Sequence, residues 1–342
     1  MALQSNGPIS FSDLAAEFGD TPPYSFSEFY RDGGKVPGVN ASVAASGAIR
    51  LGTFFGAVNE LLQAVTANAS INAQTIFGSD WGSAVPKRLS IPSGVVIGPL
   101  TIPVGLGGTL EVDVEGEVQG LGGSANGGAG GNAITANSSF TLNVLSGGAV
   151  RGGGGGGGVG GTGGQGSYQT TQTDYGNQNN KWYAKRASAA GYIYGGPNWG
   201  GFLFNNQISL NLTSISGGGW TYYRSTYITQ SSDHKIYDVY RQRQITNYSS
   251  GGAGGNSGVG RGYNQALTSG SGGSSGGTNA GAGGTGGTGG DWGTGGNTGN
   301  TGASGNYTGG AAGSGGGAAG RAVLMSAGTL TLNNSGTING AY

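Results

Sequence analysis

Glycine occupies every third position from Gly281 to Gly305, nine times in succession, and a shorter run keeps the same period from Gly152 to Gly164. A period of three is the repeat of an extended three-fold helix that rises about 3.1 Å per residue. Collagen also needs abundant proline, and Gly281–Gly305 contains none. A flexible linker would not hold the phase. The pattern therefore predicts polyglycine II, in which extended helices pack side by side with glycine on the contacting edges.

Composition excludes several classes of function. The chain has 342 residues, 81 of them glycine, with zero net charge and no cysteine, which rules out disulfides and thiolate sites. Residues 1–150 carry five basic and eleven acidic groups, whereas residues 167–250 carry seven and three. No basic stripe indicates nucleic-acid binding. The first 19 residues lack the features of a signal peptide, and no apolar run is long enough to predict membrane insertion.

The N-terminal part contains three similar short phrases, beginning at Ile9, Tyr24 and Ile49. Ser12 and Ser27 are predicted to cap short helices. Such short elements bury little apolar surface alone, so residues 1–57 are predicted to dock on another protein, with a self-contained cap as the alternative. The candidate docking residues are Phe11, Leu14, Phe26, Phe29, Tyr30, Phe54 and Phe55. A short helix is predicted over residues 57–68.

An internal repeat of the form T-L-x-[VL]-x3-G-x-[VI]-x-G occurs at residues 109–120, 141–152 and 329–340. Its alternating apolar residues predict a strand, a turn at the glycine and a second strand, stacked as rungs of a small β-solenoid or a sandwich. Two glycine-rich excursions, residues 121–140 and 153–328, separate the three copies, and both leave and re-enter at the same phase of the repeat. They are therefore expected to emerge from one edge of a β base as arms.

The lengths of the glycine tracts predict where the arms reverse. Residues 120–131 and 152–166 are each expected to form one arm, and Gly281–Gly305 is expected to fold back at Asp291–Trp292 to match their length. Further reversals are predicted at 263–269 and 306–308. Trp292 would then be a residue at the tip of the bundle.

Residues 167–250 interrupt the glycine with eleven of the 16 tyrosines and three of the five tryptophans. Alternating β-branched and aromatic residues predict a small antiparallel β subdomain. Because Tyr and Trp dominate recognition surfaces, this block supplies most candidate receptor-binding residues, although some of its aromatics are expected to form its own core. The candidates are Trp182, Tyr183, Tyr192, Tyr194, Trp199, Trp220, Tyr222, Tyr223, Tyr227, Tyr237, Trp292 and Tyr307.

No motif predicts an enzyme, a cofactor or a metal centre. The lone histidine, His234, follows Asp233, but no positioned nucleophile accompanies it. The row from Glu111 to Glu117 is either a solvated strand face or a set of Ca²⁺ ligands. The carboxylates of Asp174, Asp233 and Asp238 leave a glycosidase as a lesser alternative.

Several phrases resemble tailed-bacteriophage tail proteins. Ile9-Ser-Phe-Ser-Asp-Leu and Tyr24-Ser-Phe-Ser-Glu-Phe-Tyr resemble the N-terminal segments of that class. Leu100-Thr-Ile-Pro, the repeats and the tracts Gly120-Leu-Gly-Gly, Arg151-Gly-Gly-Gly and Ala280-Gly-Ala-Gly-Gly resemble glycine-rich receptor-binding proteins and tail-fibre tip adhesins. The resemblance implies synthesis in the host cytoplasm, a place in the virion at the tail tip or fibre, and attachment to a host surface protein or polysaccharide.

The expected fold is mostly β and irregular, with short N-terminal helices, a repeat β base, packed polyglycine II helices and an inserted aromatic-rich β subdomain. The predicted divisions are a docking segment (1–57) that contacts other tail proteins, the β base with the first arms (58–166), the aromatic insertion (167–250), the glycine bundle (251–320) and a closing repeat (321–342). A structural virion fibre or decoration protein without receptor binding is the alternative function. A monomer and a homotrimer are both compatible with the sequence.

Overall fold

The structure is a computed structural model that describes residues 3–31, 35–37, 40–66, 70–176, 181–186, 192–194, 198–199, 202–203, 207–209, 214–231 and 234–342. For 181–186, 192–194, 198–199, 202–203, 207–209, 230–231 and 234–235 the description covers the backbone alone. The described chain is mostly β, as predicted, with two short α-helices. No helix in these ranges has the length and apolar character that crossing a bilayer requires.

The helical elements are α1 (Phe11–Phe18), α2 (Ala73–Phe77) and 3-10 helices at Phe26–Phe29, Leu51–Phe54 and Gly78–Gly82. The strands of the first half are β1 (Leu61–Ala64), β2 (Ile71–Asn72), β3 (Lys87–Ile91), β4 (Val96–Ile97), β5 (Leu100–Ile102), β6 (Leu110–Val114), β7 (Glu117–Gln119), β8 (Ile134–Ala136), β9 (Phe140–Val144) and β10 (Ala149–Arg151). Those of the second half are β11 (Gly166–Asp174), β12 (Lys181–Arg186), β13 (Tyr192–Tyr194), β14 (Asn198–Trp199), β15 (Phe202–Leu203), β16 (Gln207–Ser209), β17 (Ser214–Gly217), β18 (Trp220–Ser231), β19 (His234–Ser249), β20 (Val323–Met325), β21 (Leu330–Asn334) and β22 (Thr337–Asn339).

The N-terminal helices begin two residues earlier than the sequence suggested. Ser10 caps α1, and its side chain accepts from the Asp13 amide while the Asp13 carboxylate accepts from the Ser10 amide. Ser25 and Glu28 form the same reciprocal pair at the next helix. The predicted caps Ser12 and Ser27 are therefore wrong, because the acidic residue must stand three positions after the cap to reach back to its amide.

These elements enclose an apolar core of their own. Its buried members are Leu3, Ile9, Leu14, Phe18, Phe29, Val36, Val43, Phe54 and Ala57. Phe29 and Phe54 meet edge to face with ring centroids 6.3 Å apart. The short helices thus bury more of one another than their separate lengths suggested, and the self-contained cap is the arrangement that this core matches.

The predicted helix over 57–68 is wrong, because residues 61–64 form β1. This strand pairs in parallel with β3, with Leu61 opposite Lys87 and Ala64 opposite Ser90. A cluster of four apolar residues is compatible with either a helix or a strand, and here the edge of β3 offers backbone hydrogen-bond partners along the whole strand.

The base is a solenoid of three parallel sheets, ordered β1-β3-β6-β9-β21, β22-β10-β7-β4 and β2-β5-β8-β20. The repeats stack in register, with Val112 opposite Leu142 and Leu142 opposite Leu332. Their inward apolar side chains form one buried core. On the last rung, however, Leu330, Leu332 and Ile338 remain half-buried. The described residues thus leave part of the apolar interior uncovered at that end of the solenoid.

Both excursions interrupt the solenoid at the same corner. One joins β7 to β8 and the other joins β10 to β20, so each leaves from the second sheet and returns to the third. This agrees with the phase argument from the repeats. The straight glycine-rich segments of these excursions are here called arms 1 to 8. They comprise residues 120–124, 128–131, 152–165, 251–262, 265–277, 280–291, 294–305 and 309–320.

Most reversals lie where the sequence placed them. The Thr294 amide donates to the Asp291 carbonyl, which closes the turn between arms 6 and 7. Turns also lie at 263–264 and 306–308, as predicted. The single arm expected over 120–131 is wrong: it folds back at 125–127, where Asn126 takes a positive φ of 65°. A further reversal at 277–279 was not predicted.

Arm 3 lies at the centre of the bundle and exchanges backbone hydrogen bonds with six of the other seven arms. Every third amide donates a hydrogen bond to the same neighbouring arm. The amides of residues 154, 157, 160 and 163 donate to carbonyls of arm 4, and those of 155, 158, 161 and 164 donate to arm 7. Arms 6 and 8 donate back to arm 3 with the same spacing. The three-residue period in the sequence is thus a period of backbone contacts.

Glycine is required where the arms touch. A Cβ on Gly157 would lie 2.0 Å from the Gly287 carbonyl oxygen, and one on Gly156 would lie 1.7 Å from that of Ser124. Gly156 faces arm 1, and the residues that follow it on the same edge of arm 3 are Val159, Thr162 and Gln165. Because arm 1 ends at residue 124, it does not cover these three positions, and side chains fit there.

Outward-facing amides are satisfied by hydroxyl side chains on adjacent arms. Ser314 Oγ accepts from the Val159 amide at 2.7 Å, and Ser274 Oγ accepts from the Ala253 amide at 2.7 Å. Ser and Thr therefore occupy these positions because they replace the carbonyl of a missing neighbour.

Residues 166–249 insert an antiparallel sheet ordered β16-β13-β12-β19-β18-β17, with β11 also paired to β19. The antiparallel subdomain predicted from the alternating aromatics is present in this described backbone. It is entered from arm 3 and left into arm 4.

Candidate functional site

The inserted sheet sits at the end of the bundle away from the solenoid, here called the distal end. Arm 3 leaves β10 at its first residue and enters β11 at its last. Around this junction, the Asn306 side chain accepts from the Ser167 amide at 2.7 Å, and Ser249 Oγ donates to the Thr278 carbonyl. The reversals at 277–279 and 306–308 thus hold the root of the sheet.

The register of β18 and β19 divides their side chains between two faces. Tyr222 lies opposite Arg241, Arg224 opposite Val239 and Tyr227 opposite Tyr237, and opposite residues share a face. We call this the arginine face, comprising Trp220, Tyr222, Arg224, Tyr227, Tyr237, Val239, Arg241 and Arg243. The other side, here the tyrosine face, carries Tyr175, Tyr223 and Tyr240.

Guanidinium groups stack on aromatic rings across the arginine face. The Cζ atoms of Arg241 and Arg243 lie 4.2 and 4.5 Å from the centroid of Trp220. Arg224 lies 4.6 Å from the Tyr237 centroid in the same way. Stacking of this kind orients the planar guanidinium and leaves its N–H edge free to donate.

Among the described side chains, Asp174 brings a carboxylate to this face. Arg241 donates from Nε and Nη2 to Asp174 Oδ2, at 3.2 and 2.9 Å. Hydrogen bonds from the Gly176 amide and from Arg241 lower the pKa of Asp174 below its usual value. Asp174 is therefore an ionised anchor between β11 and β19, and as a carboxylate it has no proton to donate as a general acid.

The tyrosine face carries a row of stacked rings. Tyr223 and Tyr240 stack with centroids 5.1 Å apart, and Tyr175 adds a third ring 5.9 Å from Tyr240. Tyr175 is 76% exposed. The row ends in solvent and offers flat aromatic area at the distal end.

The structure separates the candidate receptor-binding residues. Tyr227 and Tyr307 are exposed, Trp220, Tyr223 and Tyr237 are half-buried, and Tyr222 is buried. The side chains of Trp182, Tyr183, Tyr192, Tyr194 and Trp199 lie outside the described residues, although their backbone forms β12, β13 and β14.

Trp292 is not a tip residue. The Gly293 amide donates to the Gly152 carbonyl, at the start of arm 3, so this turn touches the solenoid. Arg151 and Arg261 stack over Trp292 there. The prediction failed because the reversal at 277–279 was overlooked. Each reversal inverts the direction of every later arm.

Tyr248 is a distal residue that the sequence analysis did not single out. Its ring centroid lies 4.6 Å from that of Tyr307, and both are more than half exposed. A hydrogen bond with Tyr307 raises the pKa of Tyr248. The two residues are 59 positions apart. Both lie at the distal end because the reversals between them return the chain to that end.

The candidate docking residues divide between the core and the surface of the N-terminal unit. Leu14, Phe29 and Phe54 are fully buried in its own core. Phe26 and Phe55 are each 39% exposed, while Phe11 and Tyr30 are half-buried. The buried three support the surface and cannot form it, so a docking surface would consist of the other four. Docking itself stays a prediction.

Arg88 pairs with two members of the acidic row, Glu111 and Asp113, and Arg151 pairs with a third, Glu117. Arg88 contacts Glu60, Glu111 and Asp113 at 3.0, 2.9 and 2.8 Å. The hydrogen bonds that Arg88 donates to Glu60 and Asp113 raise its pKa. Among the described residues, no group of three or more acidic or histidine side chains is arranged to hold a metal ion.

No protein-family model matches the sequence. No curated protein matches it either. Among solved structures, the chain is similar to the gp37–gp38 adhesin tip complex of the bacteriophage S16 long tail fibre, at 17% identity over 99% of each chain with a TM-score of 0.36. A likeness this remote carries no argument about function, which rests on the geometry of the chain itself.

Proposed function

We propose that arms 1 to 8 are polyglycine II helices in a close-packed array. Two observations support the assignment: hydrogen bonds recur between neighbouring arms every three residues, and the central arm bonds to six others. Ordering glycine is entropically costly. The dense lateral hydrogen bonding offsets that cost and makes the bundle a stiff spacer.

The function that this geometry supports best is adhesion of a phage tail to the surface of a bacterial host. The single observation that carries it is the inserted sheet, rich in aromatic and arginine side chains, held at the distal end of a hydrogen-bonded bundle. Tyr and Trp supply rigid contact area at low entropic cost, as recognition surfaces need. The phrases that resemble tail proteins supply the setting, with the N-terminal unit facing other tail proteins.

The adhesin is proposed to bind without cleaving its receptor. Asp174 is held as an ionised partner of Arg241, so it does not offer a proton. A depolymerase would shorten host polysaccharide on prolonged incubation with the purified protein. Unchanged chain length is the expected result.

A deletion that preserves the root of the sheet tests the adhesin. Tyr168 and Asn247 are opposite one another on β11 and β19, so a two-residue Asn-Gly turn can join them in place of residues 169–246. The labelled full-length chain is expected to bind at least one strain in a panel of bacteria, and the shortened chain is expected to bind none. Equal binding by both would refute the proposal.

A structural virion protein is the second candidate, favoured by the open end of the solenoid. Leu330, Leu332 and Ile338 would be covered by a further β-rung from another protein. If the chain served only that role, the purified protein would bind no bacterial strain, and particles with the shortened insertion would adsorb normally.

A further inference from the structure

The arginine face carries more positive charge than the described carboxylates neutralise. Three guanidiniums lie on it, and Asp174, which pairs with Arg241, is the carboxylate that the register adds from β11. Arg243 donates from Nε to the neutral Gln172 at 2.8 Å. Arg224 meets the ring of Tyr237. In the described part of the chain, no carboxylate pairs with Arg224 or Arg243.

We propose that this face is a binding site for an acidic oligosaccharide, one that carries carboxylate or phosphate groups. The inference rests on the adhesin function and names the receptor chemistry. A guanidinium that is stacked on a ring presents its in-plane N–H groups as a fork, which matches carboxylate and phosphate oxygens. Stacking also reduces the side-chain entropy lost on binding, so Arg224 and Arg243 are partly organised for an anion before it arrives.

The surrounding rings favour a sugar chain as the carrier of the anions. Tyr227 is 49% exposed, lies opposite Tyr237 and meets it with centroids 5.5 Å apart. Exposed rings beside cationic groups suit a ligand that alternates flat C–H faces with negative charges. The charges lie on one face of the adjacent strands β18 and β19, and a linear polymer laid across that face can reach them.

Direct binding to defined probes tests the site. The immobilised full-length chain is exposed to polygalacturonate oligomers, dextran phosphate, neutral dextran and a polyglutamate peptide. We expect at least one of the two acidic glycans to bind ten-fold or more tightly than dextran, and binding to weaken as salt rises. The double variant R224Q/R243Q is expected to lose that preference at least ten-fold.

The double variant R50Q/R321Q is the matched control, because it removes the same charge from exposed arginines on the N-terminal unit and beside the solenoid. It is expected to bind within two-fold of the wild type. Near-ultraviolet circular dichroism shows that both variants keep their tertiary packing.

Three results would overturn the site: equal binding of dextran and both acidic glycans, equal losses in both double variants, or polyglutamate binding as tight as that of the better acidic glycan. The last result would assign the face to an acidic protein surface. If the wild type adsorbs to bacteria but ignores the acidic glycans, this inference fails and the adhesin function stands. If it adsorbs to no strain, the adhesin function itself fails.

Discussion

Replacing Gly157 with alanine should disrupt the bundle from its centre. The added Cβ would lie 2.0 Å from the Gly287 carbonyl oxygen, so arms 3 and 6 must separate by about 1.5 Å to restore contact distance. The Gly287 amide and carbonyl are both bonded there, to Gly158 and Gly258. Losing two or three such bonds costs roughly 1 kcal/mol each, and overpacking adds about 1–3 kcal/mol.

Alanine also stabilises by restricting the unfolded chain, by about 0.4–1 kcal/mol. The net expectation for Gly157→Ala is a loss of about 3 kcal/mol, which speeds amide exchange across arms 3, 4 and 6 by roughly 100-fold. Gly315→Ala is the matched control, because its Cβ would meet nothing within 4 Å. Deuterium exchange followed by mass spectrometry measures both. Similar protection in the two variants would refute the packing account.

Four further predictions follow from the same contacts. Trp292→Ala is expected to leave bacterial binding within two-fold of wild type, because Trp292 lies beside the solenoid; a loss that matches the insertion deletion would contradict this. Thr162→Lys is expected to change amide exchange of the bundle by less than three-fold, because that edge of arm 3 is exposed. Its neighbour Gly161 is packed, and a Cβ there would lie 1.9 Å from the Ala311 carbonyl oxygen, so Gly161→Ala is expected to speed exchange by about ten-fold or more. Lys87→Met is expected to destabilise the solenoid by about 3 kcal/mol in urea denaturation, because Nζ donates to the carbonyls of Ser83, Val85 and Gly107 from a fully buried site; an unchanged midpoint would show that these bonds add nothing. Because the folded-state pKa of Asp174 is lowered, its pairing stabilises β11 at neutral pH and is lost as pH falls below about 4 through the folded pKa. The protection of amides near Asp174, taken relative to their intrinsic exchange rate at each pH, should therefore fall in acid for the wild type but not for Asp174→Asn.

The backbone period and the repeats made much of the architecture predictable. A glycine in every third position has few explanations other than lateral contact between extended arms. Repeats that resume at the same phase require stacked rungs. The reversal at Asp291–Trp292 followed from matching arm lengths, because an unbroken tract would outrun its neighbours.

The direction of each arm was harder to predict from the sequence, because it depends on the number of reversals before it. Residues 274–280 contain glycine, serine and asparagine, as the arms do, so the turn at 277–279 carries no contrast in composition. The stacking of Arg241 and Arg243 on Trp220 was also hidden, because it depends on strand register across more than 20 residues. The self-contained N-terminal core arose from contacts among three short phrases, none of which predicts it alone.

The central claim is that the distal sheet meets the bacterial surface while the N-terminal unit and the solenoid do not. Hydroxyl-radical footprinting of the full-length chain, free and bound to bacteria, tests it directly through exposed aromatic residues. The account predicts reduced oxidation of Tyr175 and Tyr227 on binding, with Phe26, Phe55 and Trp292 unchanged. Protection of Phe26, Phe55 or Trp292, with Tyr175 and Tyr227 as reactive as in the free protein, would contradict it.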